Sequence, residues 1–521
     1  MTGKSKSAQS KPAVGIDLGT TLSVISYVND VGRPETIPNA EGELLTPSIV
    51  LFDDDHVIVG REAMKARATE LENVADCPKR QIGNQVYDKM FGDRRYPPEA
   101  LQGWILSKLK RDAARTIGPF SDAVITVPAY FDEVRRKATQ DSGYIAGLDV
   151  LDIINEPTSA AVAYGYQQGW IDIEGKIDQP LNVLVYDLGG GTFDVTIMEV
   201  SKKRFRALAT DGDMRLGGQD WDQRLIEHVA ENFRANYGVD PTEDPSALGK
   251  LLRDCKEAKE TLSTRSRTQI EVAFGSSLLK TEITREKFED LTLDLLDRTE
   301  FTVRQTLAAA NLKWPDVDRV LLVGGSTRMP AVREMLTALT GQTPDTSLSP
   351  DEAVSHGAAL RATMLTNRQS STFRPAEIKN VNSHSLGVVA NEVETGIAKV
   401  VVLIPRNTPL PVVARRVFKT HKPNQESILV QIIEGESSIP EECSQLGRCA
   451  IWDLPDKLEV GTPIEVKFAY QENGRLRIKV KIGGATSKAF RYEIQRPNSL
   501  TQDQLDSWRE YICGPEDFEL I

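Results

Sequence analysis

The chain has 521 residues, 40% of them hydrophobic, and a formal net charge of −12 at pH 7. That length calls for two or more domains with substantial cores; the acidic balance argues against nucleic acid as the main partner, and no apolar run approaches the roughly 18 residues of a membrane span. The five cysteines (Cys77, Cys255, Cys443, Cys449 and Cys513) are scattered, odd in number and without CxxC spacing, and the five histidines lack metal-ligand spacing, so a disulfide or zinc framework is not expected and a reducing cytoplasm is.

In chain order, residues 1–12 are polar and rich in Lys and Ser, and read as a disordered tail rather than a signal. From Ala13 to Ser371 short apolar runs such as Ala123–Val127, Leu181–Tyr186 and Val320–Val323 read as buried strands. Amphipathic stretches between them (Ala100–Ile117, Glu133–Ala146, Leu248–Leu262) read as helices, which makes this span an α/β domain. Residues 372–384 form the expected linker. Helical periodicity then stops, and the alternating segments Ser427–Ile433, Pro463–Tyr470 and Arg475–Ile482 predict an all-β sandwich over 385–497. Leu500–Cys513 reads as a short helix with Thr501 as its N-cap, inside a last segment of 498–521.

Three glycine-rich turns follow apolar runs: Asp17-Leu18-Gly19-Thr20-Thr21, Asp187-Leu188-Gly189-Gly190-Gly191-Thr192-Phe193-Asp194, and Gly324-Gly325-Ser326-Thr327-Arg328. In the first two an apolar strand ends in an aspartate, turns, and returns through a second apolar run. Glycines in such turns let backbone N–H groups close around phosphate oxygens. The aspartates repel phosphate, so a divalent cation is expected between them. Two such hairpins predict two related half-domains facing each other across a nucleotide cleft.

The ordered series IDLGTT, VPAYF (Val127–Phe131), INEPTSAA (Ile154–Ala161), YDLGGGTFDVT, LGGQDWD (Leu216–Asp222), VGGSTRMP and PDEAVSHGAA (Pro350–Ala359) closely resembles the DnaK-type, seventy-kilodalton heat-shock chaperones, from about Ala13 to Arg509. The resemblance implies an actin-like ATPase domain with two related lobes, followed by a β-sandwich that holds unfolded or extended polypeptide, in a cytoplasmic ATP-dependent chaperone using ATP/ADP and Mg²⁺. It implies Asp17, Asp187 and Asp194 around Mg²⁺, mostly through water. Gly19, Thr20, Thr21, Gly189, Gly190, Gly191 and Thr192 would cradle phosphates. Lys79 would reach the γ-phosphate and orient water, with Glu156, Thr20 and Asp194 as its catalytic companions. Lys259, Ser263, Gly325, Ser326, Arg328 and Asp351 would lie on the adenosine side. Pro128 and Arg136 would relay nucleotide state, and Phe418, Ile428 and Val430 would line the peptide site. Rival readings are a nucleotide-gated scaffold with little turnover and a small-molecule kinase of the actin-like superfamily.

Departures from the family pattern carry their own expectations. Lys256 and Glu260 replace adenosine contacts, so weaker nucleotide binding is expected. The stretch between Asp88 and Pro97 is short, which trims one lobe. Asp152 and the basic Ser201-Lys202-Lys203-Arg204 reverse the charges at which a J-domain cochaperone docks, so a typical J-domain partner is not expected. The linker Ala376-Glu377-Ile378-Lys379-Asn380 is polar, and only weak interdomain coupling is expected from it. Arg475 stands where an aliphatic wall of the peptide pocket belongs, and no helical lid is expected after the sandwich.

Overall fold

The computed structural model describes residues 12–514 except 55, 171–178, 202–203, 367–375, 393, 422–426, 452–458, 473, 484–488 and 493–498, with only the backbone given for 489–492. The expected tail, the first part of the linker with its boundary at 371, and Asn424-Gln425 lie outside the described residues. No helix among those described is long and apolar enough to cross a membrane.

Two mixed sheets share one plan. In the first, Val14–Asp17 runs parallel to Asp122–Val127 and antiparallel to Leu22–Val28, and Asp149–Asn155 flanks the parallel pair. In the second, Leu181–Leu188 runs parallel to Arg319–Val323 and antiparallel to Phe193–Ser201, which pairs on to Arg204–Asp213. Each central strand thus enters the cleft beside a parallel neighbour and leaves through a hairpin, and that hairpin is the Asp-Gly-Thr turn. Both strands are buried on both faces, which explains their unbroken apolar runs. The helix Ala353–Thr366 lies on the first sheet, and Gly15 passes so close that a Cβ there would stand 2.0 Å from the Ala359 nitrogen.

Helix starts follow local chemistry. Glu133–Ile145 is capped by Asp132, whose side chain accepts from the Arg135 N–H, and Pro245–Leu262 by Asp244, which accepts from the Ala247 N–H. The second helix begins three residues before the expected Leu248, because Asp244-Pro245 is an N-cap followed by proline at the first helical position. The short stretch at Asp88–Pro97 holds only a minimal hairpin, Met90–Phe91 with Arg94–Arg95.

The polar linker docks, contrary to expectation. Glu377–Lys379 adds to the edge of the second sheet, parallel to Arg204–Arg206 with Ile378 opposite Phe205. Backbone pairing does not depend on side-chain polarity. The one apolar residue, Ile378, and the buried Ala376 complete the packing, and Arg204 pairs with Glu377 at 3.0 Å.

Beyond it two four-stranded sheets face each other. One is ordered Ala398–Ile404, Leu386–Asn391, Ile428–Glu434, Ser444–Ile451; the other is Val412–Lys419, Pro463–Tyr470, Leu476–Ile482, Ala489–Tyr492. Alternate residues of each strand fill the core between them. The helix Gln502–Cys513 starts in a capping box: the Thr501 hydroxyl accepts from the Gln504 N–H, and the Gln504 side-chain oxygen accepts from the Thr501 N–H. It returns to pack on Pro98–Ile117 and Glu133–Ile145 of the first lobe.

Candidate functional site

The two hairpin tips meet across the cleft with no room for side chains. A Cβ on Gly190 would stand 2.4 Å from the Thr21 hydroxyl oxygen, and one on Gly191 would stand 2.4 Å from the Thr20 methyl. Gly217 lies equally close to Gly191, where a Cβ would meet its nitrogen at 2.5 Å. Gly324 has φ 81°, in the left-handed region, and a Cβ there would run into the Leu188 carbonyl oxygen at 2.4 Å and an Asp187 oxygen at 2.9 Å. The third glycine turn is therefore stacked on the second, and Ser326 Oγ donates to the Gly189 carbonyl at 2.9 Å.

Beneath the tips lie three aspartates. Asp187 and Asp194 are directly opposed in the antiparallel register, and Asp17 ends the equivalent strand of the other lobe. Burial, then the nearby Glu156 carboxylate, pushes the Asp17 carboxyl up to about 7 and that of Asp194 up to about 8. The same causes raise Asp187 well above the ordinary range. Each oxygen set is only partly compensated: Thr126 donates to Asp17 at 3.1 Å and the Tyr130 N–H to Asp194 at 2.9 Å. Such a concentration of buried carboxylates suits a cation. No group of three or more His, Cys, Asp or Glu side chains among the described residues is close enough to ligate a metal directly. A divalent ion would therefore be held with water between it and part of the carboxylate set.

Lys79 sits in the turn Pro78–Gln81, after Cys77 in a left-handed conformation at φ 52°. Its Nζ donates to Glu156 Oε1 at 2.6 Å, with the lysine side chain 4% exposed, and lies 5.8 Å from the Phe131 ring centre. Glu156 opens the helix Glu156–Gln167 at the end of a strand. Its side chain caps nothing, since the N-cap position is Asn155 and no side-chain cap hydrogen bond is made there; it faces Lys79 instead. An ammonium and a carboxylate buried together cost desolvation, which favours a third charged group arriving between them.

On the side of the third glycine turn, Arg328 pairs with Asp351, and a Cβ on Gly325 would stand 3.4 Å from an Asp351 oxygen. Lys259 is turned inward, donating to the Gly218 carbonyl at 2.8 Å and pairing with Asp222 at 2.8 Å. Ser263 Oγ donates back to the Lys259 carbonyl at 3.3 Å. Glu260 is exposed, while Lys256 is half-buried on the same helix.

Sequence reasoning passed over Arg80, which binds the second hairpin: its Nε donates to the Gly191 carbonyl at 3.3 Å and its Nη2 reaches Asp220 at 2.5 Å. The signal was its place directly after Lys79. Thr126 and Tyr130 were passed over as well, although both lie in or beside the VPAYF series.

Pro128 and Arg136 lie between the cleft and the sandwich. Arg136 donates to the carbonyls of Phe131 at 3.0 Å and Ala129 at 3.1 Å, and its stem would touch a Cβ on Gly474 of the sandwich at 2.8 Å. Ile428 and Val430 point into the sandwich core, each 5% exposed, and Phe418 packs against it half-buried. Arg475 does not wall this core. It lines a small cavity at the seam with Glu133, Arg136, Asp152 and Ile153, because the hairpin that carries it reaches over the first lobe.

Two of the charges at the expected cochaperone surface are engaged within the chain. Arg361 donates to Asp152 through Nε at 2.9 Å and Nη2 at 2.8 Å, and Arg204 is spent on Glu377. Asp152 and Arg204 thus each have an ion-pair partner within the chain, whereas Lys202 and Lys203 lie outside the described residues.

A family model described as Hsp70 protein matches residues 13–511. The Chaperone protein DnaK of Halobacterium salinarum is 39% identical over 509 residues, covering 96% of this chain and 78% of that protein. That of Thermotoga petrophila is 38% identical over 501 residues, with 94% and 82% covered, and that of Thermotoga neapolitana 40% over 477 residues, with 90% and 78% covered.

Proposed function

The chain belongs to the Hsp70 family and is an ATP-dependent molecular chaperone with ATPase activity, and from that premise we propose how its residues divide the work. The observation that carries the proposal is the meeting of Thr20 and Thr21 with Gly191 and Gly190 above three buried aspartates, beside the Lys79–Glu156 pair.

ATP and ADP bind between the lobes. The backbone of Gly19–Thr21 and Gly189–Thr192 faces the phosphates from either side, with the Thr20 and Thr21 side chains packed on Gly191 and Gly190. Asp17, Asp187 and Asp194 would hold Mg²⁺, largely through water, and the ion would supply neutralisation of phosphate charge there. Lys79 shifts from Glu156 toward the terminal phosphate, where it stabilises developing charge. Glu156, with Thr20 and Asp194 beside it, orients the attacking water. Phosphoryl transfer of this kind asks for positioned charge more than for a strong base, which suits a carboxylate already engaged with an ammonium. Arg328 presents its planar guanidinium to the adenine with Asp351 holding it, and Lys259, Ser263, Gly325 and Ser326 form the remaining adenosine wall.

Pro128 and Arg136 carry nucleotide state outward. The segment they bracket holds Asp194 through the Tyr130 N–H and touches the sandwich through Arg136 and Gly474, while Thr126, two residues before Pro128, holds Asp17. Extended apolar segments of unfolded clients are received around Phe418, Ile428 and Val430 once the sandwich opens, because these residues are closed in the arrangement described. Cochaperones act on the same cycle, and the chain works in the cytoplasm.

The test is turnover by the full chain with Mg²⁺ and with the metal chelated. Hydrolysis is expected only with the metal, and to respond to an unfolded apolar peptide. Turnover that survives chelation would overturn the cation assignment, and turnover indifferent to peptide in saturating amount would overturn the client site.

A further inference from the structure

The contact between the ATPase domain and the sandwich is built on buried ionisable groups rather than on apolar surface. Among the described hydrophobic residues, Val134 is the one from the first lobe that packs against the sandwich core. Around it the seam is polar: Arg406 pairs with Asp211 at 3.0 Å, Asn407 Oδ1 accepts from the Thr210 N–H at 3.0 Å, and His384 Nε2 lies 3.0 Å from the Tyr130 carbonyl oxygen. Interdomain contacts of this composition separate without exposing a core.

At the centre stands Glu434, the last residue of its strand and 3% exposed. Its Oε1 has no hydrogen-bond partner, and its Oε2 receives only the Glu133 N–H at 3.4 Å. Every group facing it has been placed. From the helix Glu133–Ile145 and its cap come the carboxylates of Asp132 and Glu133 and the guanidinium of Arg136. From the sandwich comes the buried Tyr470 phenol, itself pushed upward by burial and then by Glu434. Asp132 is engaged by Arg135, and Arg136 spends two of its N–H groups on backbone carbonyls. A charged Glu434 would therefore be a second or third carboxylate in a site closed to water. His384, buried nearby against the Tyr130 ring, faces Asp132, Glu436 and Arg406, and burial lowers its basicity.

We propose that docking of the sandwich onto the ATPase domain is proton-linked, with Glu434 docked as the neutral acid and His384 docked as the neutral imidazole. The sign differs between the two. Glu434 has its proton affinity raised on docking, so its contribution is complete below the ordinary glutamate range and is lost as pH rises through its docked value. His384 has its proton affinity lowered, so docking weakens as pH falls through the ordinary histidine value of about 6.5. Between the ordinary glutamate and histidine values the two contributions oppose each other; above about 6.5 only the Glu434 contribution changes, and there, where one proton is released per undocking event, the docking constant falls about tenfold per pH unit.

The experiment is small-angle scattering of the full chain from pH 5 to 9, with the radius of gyration as readout, for the natural sequence and for Glu434→Gln. The amide keeps shape and hydrogen-bonding capacity and removes the titration. The natural chain is expected to expand on the alkaline side and the variant to stay compact there, while below about pH 6.5 the variant, left with the His384 contribution alone, expands as pH falls and the natural chain, in which Glu434 opposes it, expands less. Circular dichroism at each pH separates undocking from unfolding. The carboxylates of the nucleotide cleft are common to both chains, so the difference between the two profiles belongs to Glu434. An alkaline limb that persists unchanged in Glu434→Gln, or its absence from the natural chain, overturns the proposal.

Discussion

At the scale of single residues, the cleft is organised by charges that are uncomfortable without a ligand. Lys79 and Glu156 neutralise each other at 2.6 Å in a place nearly closed to water. Removing the lysine leaves Glu156 unpaired near three aspartates but leaves the backbone walls intact. Lys79→Ala is expected to keep nucleotide affinity within a few-fold while single-turnover hydrolysis falls about 10²-fold or more, as for other groups that act on developing charge; unchanged hydrolysis would remove Lys79 from the chemistry. The aspartates make a second prediction. Asp17 near 7 and Asp194 near 8 are neutral in the folded, ligand-free protein at mildly acid pH and charged above pH 8. Raised values in the folded state mean that their contribution to stability is complete below about pH 4 and is lost as pH rises through 7 to 8. The ligand-free melting temperature is therefore expected to drop across that window, and Mg²⁺ with ADP to raise it more at pH 8.5 than at pH 6. Scanning calorimetry at the two pH values measures this. An equal effect of Mg²⁺ and ADP at both would show that the cation does not engage these carboxylates.

At the scale of elements, two segments at the ends of the sandwich decide how it is tied to the ATPase domain. The strand Glu377–Lys379 is held by a parallel ladder and by Ile378 against the second sheet. Ile378→Asp would place a charge opposite Phe205 and forfeit roughly 1.5–3 kcal/mol of apolar burial. Hydrogen exchange should then reach the amides of Arg204–Arg206, where the edge opens, and ATP should change peptide affinity in fluorescence anisotropy by less than about fivefold, against a larger change in the natural chain. Protection retained in the variant would show that the strand contributes nothing to that edge. The weak coupling expected from the linker's polar composition rested on side chains alone, whereas the ladder is made by the backbone.

The helix Gln502–Cys513 is the second tie. Trp508 lies 5.8 Å from Tyr96 and 6.1 Å from Trp104 between ring centres, at the edge of an aromatic cluster with Phe52 and Phe91. Phe91 and Tyr96 come from the stretch Asp88–Pro97, so that part of the lobe presents aromatic side chains on which the helix rests. Tyr144 donates to Asp506 at 2.5 Å, and Arg509 stacks over the Tyr144 ring at 4.7 Å. Trp508→Ala should cost about 1.5–3 kcal/mol, less than a fully buried tryptophan because the ring is half-exposed. The melting transition of the ATPase domain is expected to fall by a few degrees; an unshifted transition would mean that the helix is not part of that lobe's stability.

At the scale of the whole molecule, the legible parts and the hidden parts divide by sequence distance. The glycine turns, the aspartates that head them, the alternation of strands and helices, the sandwich strands and the capping box at Thr501 could all be read, because each depends on neighbours a few residues away. The resemblance carried Lys79, Glu156 and Arg328 to the cleft, and the structure brings Lys79 to Glu156 and Arg328 to Asp351. The fate of a charge was not legible. Nothing near Asp152 in sequence announces its partner Arg361, 209 residues further on, and nothing near Arg475 announces that its hairpin reaches the first lobe. Local pattern and composition thus determined the α/β core, the paired phosphate turns and the sandwich, since secondary structure and turn chemistry follow from short-range sterics and the period of apolar residues. Tertiary structure alone decided which charges are neutralised, that a polar segment docks as a strand, and that Glu434 is enclosed with other carboxylates. Those outcomes depend on which surfaces meet and how much water they exclude.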